Sequence, residues 1–298
     1  MTSYFEWSLN PEIVHIAGPF GLRWYSLCFL SGILMGYHFF GKMLLKAGKP
    51  LELRDNLLYY IVIGTVVGAR LGHVLFYDPQ YYFSNPIRIL KVWEGGLASH
   101  GGFTGVMVAL LLFSRKFKEL SFFWLTDRIA IVAILAGACI RIGNFLNSEI
   151  IGRVTDVPWA VIFLNVDNQP RHPTQLYEFF GYLSISAFLY LVYRMSQYKP
   201  LEGRIFGLAM IVAFSFRFFI EYLKENQVTY EKDMLWNMGQ LLSLPFIGLG
   251  IFLALGIQHK VRGFNWAFSE DIKRHDPDAA KTAHSRSKRS RRKAKSTS

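Results

Sequence analysis

The stretch Trp124–Glu149, WLTDRIAIVAILAGACIRIGNFLNSE, decides how this chain is read. From Ile129 to Ile140 it carries no charged or amide side chain, and then Arg141, Asn144, Asn147, Ser148 and Glu149 arrive together. An apolar run near 20 residues is the length of a helix that crosses about 30 Å of hydrocarbon. An arginine in such a helix costs about 2.5–3.5 kcal/mol at its centre and less near an interface, so Arg141 calls for a polar destination.

Runs of the same kind recur. Residues 21–43, 56–77, 96–114, 122–147, 175–195, 204–224 and 236–258 read as seven spans, the third broken at its start by GGLASHGG. The 298 residues are 52% hydrophobic and 18% charged, against about 25% charged in soluble domains. The fold class is therefore an all-α membrane protein with seven transmembrane helices. The opening MTSYFEWSLNPEIV has neither a basic region nor a small-residue cleavage site, so the first span is expected to direct insertion.

Basic residues in short loops set the orientation. Lys42, Lys46, Lys49 and Arg54 follow span one; Arg115, Lys116, Lys118 and Arg128 follow span three; Arg194, Lys199 and Arg204 follow span five. The alternate loops are poorer: Arg88 and Lys91, then Arg153 and Arg171, then Lys224 and Lys232 beside Glu225, Glu231 and Asp233. The N-terminus is thus expected outside and the C-terminus in the cytoplasm, with residues 149–174 forming a small external head made of loops. Residues 1–262 read as one transmembrane domain and 263–298 as a basic, disordered cytoplasmic tail. Residues 259–298 hold twelve Lys/Arg against four Asp/Glu. That suits attraction to anionic lipid headgroups, about 1 kcal/mol per basic residue, better than a nucleic-acid arm, and no nucleic-acid partner is expected. Cys28 and Cys139 lie inside apolar blocks, where packed thiols are expected rather than a disulfide or a nucleophile.

On these oriented spans the polar groups gather at one depth. Arg141, Asn144 and Ser148 share a helix face near the outer end of span four. Arg217 and Glu221 are four apart at the outer end of span six, and Arg70 and His73 lie in the outer half of span two. Tyr25 and Ser99–Gly102 begin the inward-running spans one and three, and RHPTQLYE (171–178) precedes span five. A lone arginine near a span end would snorkel to water. Three arginines on three spans, accompanied by Asn, His, Tyr and Glu, instead describe a polar cavity open to the outer leaflet. Guanidinium forks match phosphate oxygens, and a phospholipid headgroup is the phosphate available there. The five glycines of GGLASHGGFTG suit close approach of backbone to a ligand or to another helix. His100 among them is a candidate general base. Pro173 suits the first position of a helix, after which His172, Gln175 and Glu178 either line the cavity or cap and pack the start of span five.

Taken together, RIGNFLNSEIIGR (141–153), HGGFTG (100–105), RHPTQLYE (171–178), RFFIEY (217–222) and GQLLSLP (239–245) resemble the bacterial prolipoprotein diacylglyceryl transferases, from about Arg23 to about Pro245. The resemblance implies a reaction. The sn-1,2-diacylglyceryl group of phosphatidylglycerol passes to the lipobox cysteine thiol in the signal peptide of a prolipoprotein, a thioether forms and glycerol phosphate leaves. It implies no metal or organic cofactor, and a place in the bacterial inner (cytoplasmic) membrane with the site facing the periplasmic leaflet. Carried over by position, Arg141 and Arg217 match arginines that hold the lipid phosphate, and His100 and Tyr25 match residues linked to catalysis. Asn144, Glu149 and Gly152 match further signature positions. Glu221 matches a carboxylate that orients Arg217, and Arg70, His172 and Glu178 complete the headgroup and supporting set. The thiol is deprotonated either by His100 or through a cationic cluster that lowers its pKa from near 8.5.

A transporter or flippase for anionic lipid would use the same arginine cavity, but alternating access needs polar groups toward the inner side. There the spans are nearly all apolar, with Asp127 the main exception. A phospholipid hydrolase is disfavoured because neither a G-x-S-x-G elbow nor a His–carboxylate metal motif is present.

Overall fold

The computed structural model describes residues 4–17, 20–225, 236–261 and 267. The tail expected at 263–298, Ala267 apart, lies outside the described residues, as do Glu231, Lys232 and Asp233. In chain order the strands are β1 (Phe5–Trp7), β2 (Glu12–Ala17), β3 (Phe20–Arg23), β4 (Val161–Phe163) and β5 (Pro170–Arg171). The helices are α1 (Trp24–Lys46), α2 (Glu52–Phe76), α3 (Pro79–Ser84), α4 (Ser99–Lys116), α5 (Phe122–Leu146), α6 (Thr174–Met195), α7 (Arg204–Ile220) and α8 (Met238–Ala254).

Each of the seven expected spans is a helix, and five of them, α1, α2, α5, α6 and α7 with its 3-10 extension, are long and apolar enough to cross a membrane. The chain is a multi-pass membrane protein. Only 28% of each such apolar window is buried within the protein, and outward residues such as Leu34, Ile63, Phe180 and Leu191 present apolar surface that water would not tolerate over so wide an area. The 17 residues of α8 make a shorter apolar helix with Pro245 inside it, entered through a capping box between Asn237 and Gln240.

The chain divides into two compact units. In the first (Met1–Leu58 and Thr126–Ile257), Met43 of α1, Ile131 and Val132 of α5, Ile185, Leu189 and Tyr193 of α6, and Ile205 and Ala209 of α7 form the core. Asp127, fully buried, accepts hydrogen bonds from Gly203 N and Phe206 N at 2.8 Å each. A carboxylate from α5 thereby caps the otherwise orphaned N–H groups that open α7. This is what the acidic residue near the start of α5 does.

Residues 149–174 are not made of loops alone. Strand β4 pairs in parallel with β1 from the N-terminus and antiparallel with β5, giving the order β1-β4-β5. Phe145, Val161 and Phe163 are buried together, with Trp7, Ile151 and Leu176 packed against them. The three apolar residues VIF (161–163) are too few to read as a strand, and the parallel partner lies more than 150 residues away. Strands β2 and β3 form a separate antiparallel pair.

In the second unit (Tyr59–Leu125 and Gln258–Ser298), the glycines of α2 and α4 face one another. A Cβ on Gly68 would lie 2.4 Å from Gly101 O, and one on Gly105 would overlap Gly64 O. The segment SHGGFTG is thus a regular helix start, its glycines spent on backbone-to-backbone packing at four-residue spacing. Between these helices, Arg70 is buried with its guanidinium against the carbonyls of Ile89, Arg88, Lys91, Gly95 and Gly96, at 2.5–3.2 Å, and against the Tyr82 ring.

Candidate active site

The site in the first unit starts from the corner where α5 ends. Ser148 and Ile150 adopt φ of 57° and 54°, left-handed values that a β-branched residue reaches only under constraint. The constraint comes from α6. Gln175 Nε2 donates to Glu149 O at 2.7 Å, and Thr174 Oγ1 donates to Ile150 O at 3.1 Å, both side chains fully buried. Pro173 sits one residue earlier than expected, at the N-cap with ψ of 65°, leaving Thr174 and Gln175 in the first turn to grip the corner. Of the two roles left open for Gln175, the structure shows packing against the corner.

The corner turns Glu149 back onto α5. Asn144 Nδ2 donates to Glu149 Oε2 at 3.2 Å and Asn147 Nδ2 to Oε1 at 3.1 Å. Asn144 Oδ1 in turn accepts from Arg141 Nη1 at 3.2 Å. On α1, Tyr25 packs against Gly143, where a Cβ would meet its ring at 3.0 Å. Tyr25 lies within electrostatic reach of both Glu149 and Arg141.

The centre of the site is a chain of alternating charges. Glu178, fully buried on α6, faces Arg141 Nε at 3.3 Å through Oε2 and Lys224 Nζ at 2.9 Å through Oε1. Lys224 also meets Glu221 Oε2 at 3.2 Å. Tyr182, one turn after Glu178, donates to its Oε1 at 3.3 Å and lies under the Arg141 guanidinium. Arg217 reaches the same Tyr182 electrostatically, and among the described residues it makes no ion pair.

Lys224 is held in this position by backbone. Arg153 N donates to Leu223 O at 2.9 Å, and Gly152 forms an antiparallel bridge with Lys224. Gly152 N also donates to His172 O at 3.1 Å, so residues 151–155 run between 170–172 and 223–225. A Cβ on Gly152 would lie 2.4 Å from His172 O and 2.9 Å from Leu223 O. Glycine is required there because two strands close on it, which makes Gly152 a supporting position. Arg171 ties the outside of this crossing through Asp167, Glu225 and Gly152 O.

Of the expected site residues, Tyr25, Arg141, Asn144, Glu149, Glu178 and Arg217 are tied directly or electrostatically into this cluster. Three expectations change. Glu221 turns to Lys224 rather than orienting Arg217, because the chain tightens into a 3-10 turn over Glu221–Leu223 that brings position 224 beneath it. Gly239 leaves room for that carboxylate, since a Cβ there would overlap Glu221 Oε1. Arg70 spends every N–H of its guanidinium on loop carbonyls, so it clamps residues 88–96 and has no donor for a headgroup. His172 falls outside the charge chain: Nδ1 is 3.3 Å from Tyr177 Oη, which accepts from Trp159 Nε1 at 2.6 Å. Burial holds the His172 imidazole below its ordinary pKa. His100, in the first turn of α4 in the second unit, is exposed, and its carbonyl accepts from Thr104 Oγ1 at 3.0 Å. Sequence reading missed Lys224 and Tyr182. The signal for Tyr182 was its spacing of four from Glu178 on one face of α6; Lys224, in extended backbone just past the 3-10 turn, had none of that kind.

Comparison with known proteins follows the same residues. A family model described as prolipoprotein diacylglyceryl transferase matches residues 11–255. The chain belongs to the prolipoprotein diacylglyceryl transferase family. It is 48% identical over 249 residues to a protein of Tolumonas auensis, covering 84% of this chain and 96% of that relative. A relative in Chloroherpeton thalassium is 43% identical over 252 residues, 85% and 94% of the two chains. One in Rickettsia canadensis is 44% identical over 250 residues, 82% and 95% of the two. All three carry the name phosphatidylglycerol–prolipoprotein diacylglyceryl transferase. As a member of the diacylglyceryl transferase family the chain is a transferase of lipoprotein biosynthesis, and both RIGNFLNSEIIGR and RHPTQLYE lie inside the matched region.

Proposed function

We propose that the chain transfers the sn-1,2-diacylglyceryl group of phosphatidylglycerol to the thiol of a lipobox cysteine in a prolipoprotein signal peptide. The observation that carries this reading is the buried charge chain Arg141–Glu178–Lys224–Glu221, with Arg217 unpaired among the described residues beside it. Arg141 and Lys224 are already neutralised by carboxylates, so the chain holds its own charges at low cost. Arg217 supplies the cation free to meet an incoming phosphodiester, and Arg141 lends its remaining N–H donors.

In the reaction the cysteine sulfur bonds to the glycerol carbon as the bond from that carbon to phosphate oxygen breaks. The thiol proton goes to a base, and the electron pair leaves with glycerol phosphate. The arginines stabilise the charge that gathers on the leaving phosphate, an effect worth about 2.7–4 kcal/mol per well-placed donor in comparable sites. In this reading His100 takes the proton, or the cationic cluster lowers the thiol pKa without a dedicated base; Tyr25 takes part in catalysis, and Asn144 and Glu149 bind the headgroup and hold Arg141. The seven helices act as one transmembrane catalytic domain over residues 1–262, N-terminus outside, with the site facing the periplasmic leaflet of the bacterial inner membrane.

The test is a transfer assay with the purified protein, phosphatidylglycerol and a peptide carrying a lipobox cysteine. The expected result is a diacylglyceryl adduct on the thiol by mass spectrometry together with released glycerol phosphate, both lost in Arg141→Ala. Lipid binding without either product, under conditions that support a known transferase, overturns the reading.

A further inference from the structure

At the opposite ends of α1 and α6 from Tyr25 and Glu178, the first unit contains a cavity. Its volume is about 440 Å³, and Phe39, Lys42, Met43, Lys46, Tyr190, Tyr193 and Tyr198 line it together with Leu45. That volume is within the range of small-ligand pockets, roughly 300–1,000 Å³. The lining has two chemistries. Met43 and Tyr193 are buried members of the core, and the rings of Phe39, Tyr190 and Tyr198 extend the floor outward. Lys42 and Lys46, four residues apart on one face of α1, form the rim. Neither has a carboxylate partner among the described residues. Lys42 lies over the Phe39 ring at 5.7 Å and Lys46 over the Tyr198 ring at 5.2 Å.

The neighbouring charges do not neutralise this rim. Arg128 reaches Tyr198 O at 3.3 Å and packs over the Tyr193 ring. The nearby carboxylates, Asp127 and Glu202, are both buried and act on Arg128, and Asp127 is also taken up by the start of α7. Beyond the rim, Leu34 and Leu45 of α1 and Leu191 and Met195 of α6 are exposed and apolar. An occupant therefore meets two free ammonium groups at its head, tyrosines at its neck and apolar helix surface along its length.

We infer that this cavity binds an anionic phospholipid, its phosphate between Lys42 and Lys46, its glycerol backbone among the tyrosines and its acyl chains along α1 and α6. Charge complementarity selects an anionic over a zwitterionic lipid. The exposed leucines select a lipid over free phosphate. The inference rests on these helices spanning a membrane and does not depend on the transferase reaction. The site is one helix length from Tyr25, about 30 Å at 1.5 Å per residue, and hence belongs to the other leaflet.

The experiment is a lipid titration of the full chain, read by native mass spectrometry. The probe is phosphatidylserine, which is anionic but lacks the glycerol headgroup of the proposed donor. Phosphatidylcholine and inorganic phosphate are the comparison arms. Phosphatidylserine is expected to bind at least tenfold tighter than phosphatidylcholine, with K42Q/K46Q weakening it roughly thirtyfold and K42R/K46R retaining it. Equal binding of the two lipids, or unchanged binding by K42Q/K46Q, overturns the proposal. Displacement of phosphatidylserine by millimolar inorganic phosphate overturns the lipid assignment.

Discussion

Glu178 sits between two cations, Arg141 on one oxygen and Lys224 on the other, with no exposure to solvent. Removing one partner of a buried ion pair costs about 3–5 kcal/mol because it strands the other. Glu178→Gln strands Arg141, while Lys224 keeps Glu221, and it is expected to lower the stability in detergent by an amount in that range, read as a lower denaturation midpoint. Arg217→Lys tests a different property: an ammonium keeps the charge but lacks the planar fork. It is expected to leave the denaturation midpoint unchanged while transfer falls at least tenfold; undiminished transfer would count against a guanidinium contact to phosphate. His172 gives a pH signature. Burial lowers its folded pKa, so the unfolded state binds the proton more readily, and stability falls as pH drops below about 6.5, the unfolded value. The loss ends at the folded pKa, and His172→Gln is expected to flatten the denaturation profile across that window. Arg141 was legible in the sequence because an arginine in an apolar run must have a reason. Lys224 was not, because its meaning depends on a pairing with residues 152 and 153 that no local pattern announces.

At the scale of elements, helix positions were legible from apolar run lengths, and the packing between them was only partly so. The glycines of α4 read as a break in the third span, yet they form its first turns. What decided the matter is the partner: Gly64, Gly68 and Gly72 of α2 bring matching bare backbone to Gly101 and Gly105. Gly68→Leu would drive a side chain into Gly101 O, and at least the 1–3 kcal/mol typical of overpacking is expected, read as a lower midpoint with helix content retained. The corner after α5 was legible as a polar signature but not as strain. Gln175→Ala removes the donor to Glu149 O, a loss of about 0.5–1.5 kcal/mol for the hydrogen bond. Transfer activity is expected to fall along with the midpoint, since Glu149 and Asn144 lose their fixed relation.

For the whole molecule, composition alone announced a membrane protein, and the five long apolar helices agree. The short strands of the 149–174 segment escaped notice because strands of three and two residues have no sequence period, and their third partner, β1, lies more than 150 residues away. The basic tail is assigned no part in the site, so deletion of residues 270–298 is expected to leave transfer within about twofold of the full chain, measured in the same micelles; an inactive truncation would contradict this.

Strand β1 is made near the start of synthesis, but the strand it pairs with, β4, begins at Val161. At roughly 5–20 residues per second, Phe5 and Trp7 wait on the order of 10–30 s for a partner while four expected spans enter the bilayer. The N-terminal segment must therefore stay accessible until residue 163 has been made, and only then pair with β4. A bulky fusion at the N-terminus would act on that late step, slowing acquisition of the finished head without altering any residue of the charge chain.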